Sequence, residues 1–406
     1  MSPKRKNVNK MDNNSSFIRN FSDEVSLYQE LYDLKLISRR IEANEEYFKY
    51  CKNKKNFIIL IMYDKYGRVY LKESGVNQFT FLGGEAFEFE NVRDAVKRIS
   101  NQLVGLTTIE ELEPLVISKN IFEYNNEKIE HLGLVVMARI DFEEDAVFSK
   151  NFYTVDDSLL ECIKKFSDKE ILREFVKRFS NIVFYNNNEF QHEEVEVNKK
   201  YQSRYEFHNK IVKKYILTDK VKHKNELINL MSTKTEGCSR LLDVSCGDNS
   251  LLFLLHYDDN FEFIVANDIS WSQIELIPSQ DNVIFTNHNA ITFPFKDDVF
   301  DFVYCSNTLH HIPNRENLIN LLKSLIRVGK KIVIFEIEDP KCTGGFPYYL
   351  NKYWYRGFLK DAGEEYLSYD MFKQVILEVY ENEAHIKFSN FKNIQGNYMI
   401  AEIEKK

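Results

Sequence analysis

A turn, two acids and a pair of histidines carry the chemistry legible in this chain. The apolar run that opens LLDVSCGDNS (Leu241–Ser250) leads into a polar turn, with Asp243 near the end of the run and Gly247 ahead of the next helical stretch. Glycine there lets the backbone approach a ligand closely, and amides at the start of a helix favour anionic or polar groups. The following apolar run, FIVANDIS, ends in Asp268. A carboxylate in that place accepts both hydroxyl hydrogens of a ribose. On these residues alone a nicotinamide dinucleotide fits as readily as S-adenosylmethionine.

His310 and His311 are the only tandem histidines. Imidazole titrates near neutral pH, so either can take a proton from a reacting hydroxyl or amine, and either can equally pack or hydrogen-bond beside a ligand. Two other stretches are candidates for closing over a substrate: the aromatic-rich FPYYLNKYWYRGF (Phe346–Phe358) and SRYEFHNK, with Tyr205 and His208. The bland reading of the aromatics is core packing. Six cysteines without a CxxC pair argue against a zinc site or a disulfide framework, and no metal-ligand set is read from the sequence. Cys246 reads as a small filler of the loop.

These residues need a scaffold. After residue 200 the apolar runs LLDVS, FIVAND, VIFTN, FDFVYCS and KIVIFEIE alternate with helical stretches, which implies a doubly wound, mostly parallel α/β sheet with its ligand outside the carboxyl ends of the strands. Ahead of it FIILIMY, VYLKE and HLGLVVMARI read as strands around one helix after Glu90, an α+β arrangement. Between Asp23 and Asn53, Leu27, Leu31, Leu34 and Ile37 recur at three- and four-residue steps, which predicts one amphipathic helix. Leu159–Phe179 and Tyr201–Met231 also read as helical. The chain then divides into a disordered tail (1–16), a helical lead-in (17–54), an α+β domain (55–185), a polar linker (186–200) and an α/β domain (201–406).

The balance of 44% hydrophobic and 29% charged residues over 406 positions suits two folded units. A net charge of -8 disfavours nucleic acid as a partner, because phosphate binding depends on clustered Lys and Arg. The apolar run Phe57–Tyr63 falls far short of the roughly 18 residues of a membrane span, and MSPKRKNVNKMDNNSS lacks the apolar core of a secretory signal. The expectation is a cytoplasmic protein with free thiols and no membrane partner.

Asn289–Ile312, NAITFPFKDDVFDFVYCSNTLHHI, matches nearly position by position the block DA..LPF.D..FD.V.....LHHI of the class I S-adenosylmethionine-dependent methyltransferases. With the turn after Leu241–Val244, the chain from Tyr201 to Lys406 resembles their type 11 group. The resemblance implies a Rossmann-like seven-stranded sheet ending in antiparallel strands (IKFSNF, then GNYMIAEIE) and S-adenosylmethionine as cofactor. It places Asp243 and Gly247 at the methionine part, Asp268 at the ribose, and Asn289 with Ala290 at the adenine edge, with Ser245, Ile269 and Ser306 beside them. The family has glycine where this chain has Ser245 and Asn249, and Asp where it has Asn289. Serine adds only a hydroxyl, Asn tolerates positive φ, and an Asn oxygen still accepts from the adenine amino group.

Phe79–Leu106, FTFLGGEAFEFENVRDAVKRISNQLVGL, resembles the Nudix signature Gx5Ex7REUxEExGU, where U is apolar. Gly84, Glu90, Arg98, Gly105 and Leu106 stand at the required spacing, and Ala95 sits where the family usually has alanine. The three glutamates of the REUxEE core are Ile99, Gln102 and Leu103 here. Hard cations need those charged oxygens, so the resemblance implies a Nudix-like fold without pyrophosphohydrolase activity.

The sequence as a whole implies a methyltransferase acting on an oxygen or nitrogen of a small molecule, with His310 or His311 as base. A nucleotide or nucleotide-linked acceptor would give both halves a shared ligand. The alternative is a non-catalytic sensor that binds S-adenosylmethionine or a nucleotide. The Nudix-like half is expected to recognise a ligand, to brace its neighbour or to form a homo-oligomer.

Overall fold

The computed structural model describes residues 21–52, 56–64, 66–75, 78–87, 90–101, 106–142, 151–163, 165–186, 231, 234–247, 261–269, 282–312, 314–349, 352–353, 365–393 and 396–406. The expected tail at 1–16, all of the expected linker 186–200 except Asn186, and nearly all of the helical stretch Tyr201–Met231 lie outside the described residues.

The single helix expected over Asp23–Asn53 is instead a helix, a strand and a helix: α1 (Phe21–Leu31), β1 (Lys35–Glu42) and α2 (Glu45–Lys52). Phe21, Val25, Tyr28 and Leu31 keep the helical period and form the buried face of α1. Beyond them Ile37 belongs to an edge strand, paired in parallel with a later strand from Lys35↔Val116 to Glu42↔Glu123. Long-range pairing of this kind overrides local helical spacing. The remaining N-terminal strands are β2 (Asn56–Tyr63), β3 (Val69–Tyr70), β4 (Lys72–Gly75), β5 (Gln78–Thr80), β6 (Leu82–Glu85), β7 (Leu106–Tyr124), β8 (Glu127–Phe142) and β9 (Phe152–Tyr153).

All but β4 and β5, which pair with each other, join one seven-stranded mixed sheet in the order β1-β7-β8-β2-β3-β9, with β6 on β2. Asn125 and Asn126, at φ 47° and 65°, turn the β7–β8 hairpin in the left-handed conformation that such two-residue loops require. Gly83 in β6 has no room for a side chain, because a Cβ would lie 2.7 Å from the Ile58 carbonyl oxygen of β2. Helix α3 (Val92–Ser100) covers this sheet, and the expected helix after Leu159 is two, α4 (Asp157–Cys162) and α5 (Phe166–Asn186).

The second seven-stranded sheet comprises β10 (Arg240–Val244), β11 (Phe263–Asn267), β12 (Val283–Thr286), β13 (Phe300–Ser306), β14 (Gly329–Ile337), β15 (Ala384–Asn393) and β16 (Gly396–Lys405). Its order is β12-β11-β10-β13-β14-β16-β15, parallel except for β16, which runs against both neighbours. The strands are apolar on both faces, and β11 is buried along its whole length. Helices α6 (Arg315–Val328) and α7 (Tyr369–Tyr380) belong to this half, and the buried Tyr380 hydroxyl donates to the Leu322 carbonyl at 2.6 Å to fix one on the other. Strand order reverses between β10 and β13, so a ligand crevice opens at the carboxyl ends of these strands. Among the described residues no helix is long and apolar enough to cross a membrane.

The two sheets meet through α1. The Lys296 amide donates to the Leu31 carbonyl at 2.9 Å, Tyr32 forms an antiparallel bridge with Phe295, and Arg240 pairs with Glu30 at 2.8 Å. At its other end α1 is tied to α3, because the buried Glu24 carboxylate accepts the Val92 amide at 2.7 Å and the Tyr28 hydroxyl at 3.1 Å.

Burial pushes the Glu24 carboxyl up to about 7, opposed by those two hydrogen bonds. The folded state therefore holds this proton at a pH where the unfolded chain has lost it. The stabilisation from the raised pKa is complete below the ordinary carboxylate range and is lost as pH rises through about 7. Glu24→Gln keeps an acceptor for Val92 and removes the titration. Relative to this variant, the wild type is expected to lose up to about 1.4 kcal/mol per pH unit between about pH 5 and about pH 7, measured by denaturant unfolding; parallel curves would contradict the assignment.

Candidate functional site

Two residues just past β10 adopt left-handed backbone, Ser245 at φ 54° and Gly247 at φ 53°. The conformation that a glycine would take freely is held by a serine at the first of them, at a cost of about 1–2 kcal/mol. Surrounding bonds hold it: the Cys246 amide donates to the Asn267 carbonyl at 2.9 Å, and the Gly247 amide donates to Asp268 Oδ2 at 2.8 Å. Among the described residues, none comes within 4 Å of a Cβ built on Gly247. Cys246 is buried, and burial beside the Asp268 and Asp243 charges raises its thiol well above the usual range. It fills the loop and is no thiolate nucleophile.

Asparagines bind the next strand ends together. Asn267 takes the Thr286 hydroxyl at 3.0 Å and the His288 amide at 2.8 Å, and its own amide nitrogen donates to the His288 carbonyl at 2.9 Å. Asn287 donates to the carbonyls of Asp268 and Ile269 at 2.8 and 2.7 Å. Asp268 is buried, while the Ile269 side chain is 43% exposed beside it. The Asn289 side-chain oxygen, expected to face adenine, accepts the Ile291 amide at 3.0 Å and caps the short helical turn that begins at the buried Ala290. One of its two lone pairs is thus engaged within the fold.

Ser306 closes β13, and Thr308 returns its hydroxyl to the Ser306 carbonyl at 3.0 Å. Asp243, Ser245, Gly247, Asp268, Ile269, Asn289, Ala290 and Ser306 therefore all lie at one edge of the sheet. Asp248, Asn249, Tyr205 and His208 lie outside the described residues. Of the aromatic stretch, Tyr349 and Tyr353 are exposed and stack at 6.1 Å, so they are not core.

The two histidines differ. His310 is buried, and its Nδ1 lies 2.6 Å from Glu336 Oε1. Glu336, fully buried on β14, also accepts the amides of Leu309 at 2.7 Å and Ile337 at 2.9 Å. Tyr366 stacks on His310 at 4.9 Å, and the His310 carbonyl accepts the Glu365 amide at 2.8 Å. His311 is exposed on its outer face, while the protein packed behind it and the adjacent His310 lower its pKa. Sequence reasoning missed Glu336, although one acid inside the apolar run KIVIFEIE was a signal.

In the N-terminal half, Arg98 grips both oxygens of Glu90 at 2.7 Å and donates to the Glu85 carbonyl at 2.6 Å. Glu90 also accepts the Phe87 amide at 3.1 Å. Ile99 is fully buried, within 3.5 Å of the Cβ position of Gly84. These residues hold the loop onto α3. Among the described residues no group of three or more His, Cys, Asp or Glu is placed to hold a metal ion. Gln102, Leu103 and Gly105 lie outside the described residues.

A family model described as a methyltransferase domain matches residues 242–334. The 27-O-demethylrifamycin SV methyltransferase of Amycolatopsis mediterranei (strain S699) is 28% identical over 102 residues, which cover 23% of this chain and 37% of that protein. The chain thus matches little more than a third of this relative's length. A SAM-dependent methyltransferase from Archaeoglobus fulgidus covers 47% of this chain and all of its own, at 17% identity and a TM-score of 0.35. N-methyltransferase NodS from Bradyrhizobium japonicum WM9, in complex with S-adenosyl-l-homocysteine, covers 45% of this chain and 86% of its own, at 9% identity and a TM-score of 0.34. Both structural likenesses are too loose to assign chemistry. The stretch from Leu242 to Ile334, which carries the left-handed loop, Asp268 and the two histidines, is the part of the chain that resembles a methyltransferase domain.

Proposed function

We propose that the chain transfers a methyl group from S-adenosylmethionine to an oxygen or nitrogen of a small molecule, a nucleotide or nucleotide-linked metabolite being the class that would engage both halves. The observation that carries this reading is the Asp268 carboxylate, buried at the end of β11 and bonded to the Gly247 amide at 2.8 Å. A carboxylate at the end of the second strand suits a ribose hydroxyl, and a glycine in left-handed backbone at position 247 suits close approach of the methionine part. Asp243, Ser245 and Ser306 would line that part. Ile269 presents an exposed apolar side chain for the purine, with Asn289 and Ala290 at its edge.

When bound, the cofactor supplies an electrophilic methyl on a sulfonium, which needs alignment more than covalent help. The protein's share is then the proton. Nδ1 of His310 turns to Glu336, and Nε2 is the atom assigned to take the proton that an acceptor hydroxyl or ammonium loses as it gains the methyl. Glu336 fixes the orientation of the ring, the role of an orienting carboxylate behind a base. His311 lies against His310, with ring centroids 4.0 Å apart, and is the second candidate.

For the N-terminal half we propose a Nudix-like scaffold (55–185) that does not hydrolyse, joined by a linker (186–200) to the methyltransferase domain (201–406). The Glu90–Arg98 pair supports this reading, since the one signature acid is committed to an internal bond. Homo-oligomerisation through this half and residence in the cytoplasm complete the proposal.

Isothermal titration with S-adenosylmethionine and S-adenosylhomocysteine tests the cofactor reading. Micromolar binding is expected for the wild type and its loss in Asp268→Ala; no heat with either ligand would overturn it. With an acceptor found by screening labelled methyl transfer, His310→Gln is expected to lower kcat by about 10²-fold while S-adenosylhomocysteine still binds. An unchanged kcat would remove His310 from the chemistry.

A further inference from the structure

The adenine-edge segment Asn287–Ala290 has one side chain that faces away from the crevice and toward the other half of the protein. His288 is buried, and its Nε2 lies 2.7 Å from the hydroxyl of Tyr32, the buried residue that follows α1. Phe295 packs against both rings, at 5.1 Å from Tyr32 and 5.3 Å from His288. Burial first, and the Arg178 charge second, lower the His288 pKa to about 3, so the imidazole is neutral and the pair makes a single hydrogen bond in either tautomer.

His288 cannot shift alone. Its backbone amide and carbonyl are both bonded to the Asn267 side chain, at 2.8 and 2.9 Å, one residue before Asp268. Its neighbour Asn287 holds the carbonyls of Asp268 and Ile269, and its next neighbour Asn289 caps the turn at Ala290. Every residue assigned to the nucleoside of the donor is thus within two links of His288, each link a hydrogen bond or a peptide bond.

We propose that Tyr32 is a positioning residue for donor binding: its hydroxyl, supplied from outside the methyltransferase domain, fixes the nucleoside-facing ends of β11 and β12 through His288. Loss of the hydroxyl leaves a buried imidazole nitrogen without its partner, and the segment relieves that only by moving. The proposal rests on the donor site described above.

The test is the affinity for S-adenosylhomocysteine, titrated well below the melting temperature of each variant, with circular dichroism melts to establish that each is folded. Tyr32→Phe and His288→Leu are expected to raise Kd about tenfold. His288→Gln, whose amide oxygen accepts from the Tyr32 hydroxyl, is expected to stay within about twofold of wild type. Glu30→Gln breaks the Arg240 ion pair at the same junction and is expected to leave Kd unchanged. Should Tyr32→Phe not fold at that temperature, the contrast between Leu and Gln at position 288 decides.

Wild-type affinity in Tyr32→Phe and His288→Leu would overturn the proposal, as would an equal loss in Glu30→Gln, which would mean that any loosening of the junction suffices. No binding by the wild type would instead overturn the donor-site reading, and the proposal with it.

Discussion

The bond between the Gly247 amide and the Asp268 carboxylate is the constraint around which the second sheet is arranged. It joins the loop after β10 to the end of β11 and so holds Ser245 in a conformation that serine resists. Mostly apolar parallel strands make this possible, because they bring the carboxyl ends of β10, β11, β12 and β13 to one edge. The loop, the acid and the histidine that follows β13 then lie at the same edge of the sheet.

A second group of bonds makes the N-terminal half part of the same construction. Helix α1 is fastened at its start to α3 by Glu24 and at its end to the second sheet by Leu31, Tyr32 and Glu30. Arg93 of α3 lies 4.6 Å from the ring of Phe285 on β12, a further contact of the two halves. Within that half Glu90 and Arg98 pair with each other, and Ile99 is buried in the core beside them.

Much of this was legible in the sequence because the physics is local. FIILIMY, FIVAND and FDFVYCS are short apolar runs bounded by polar turns, and each became the strand it predicted. The loop glycine and Asp268 were legible from their places after such runs. The stretch from Asp23 to Asn53 was not, since Ile37 shares a helical spacing with Leu27 and Leu34 but is claimed by pairing with Ser118 on β7. Glu336 was hidden by reading its strand as apolar throughout, although an acid in a buried strand must find donors, and it found three. The Tyr32–His288 bond spans 256 residues, so no periodicity or motif marks it.

The central claim is that the crevice above β10 and β11 holds the nucleoside of S-adenosylmethionine on Asp268. A crystal structure of the full chain grown with S-adenosylhomocysteine tests it most directly. The account predicts ribose oxygens within hydrogen-bonding distance of the Asp268 carboxylate and the purine between Ile269 and Ala290. The product bound elsewhere, or seated in the crevice with its ribose turned away from Asp268, would contradict it.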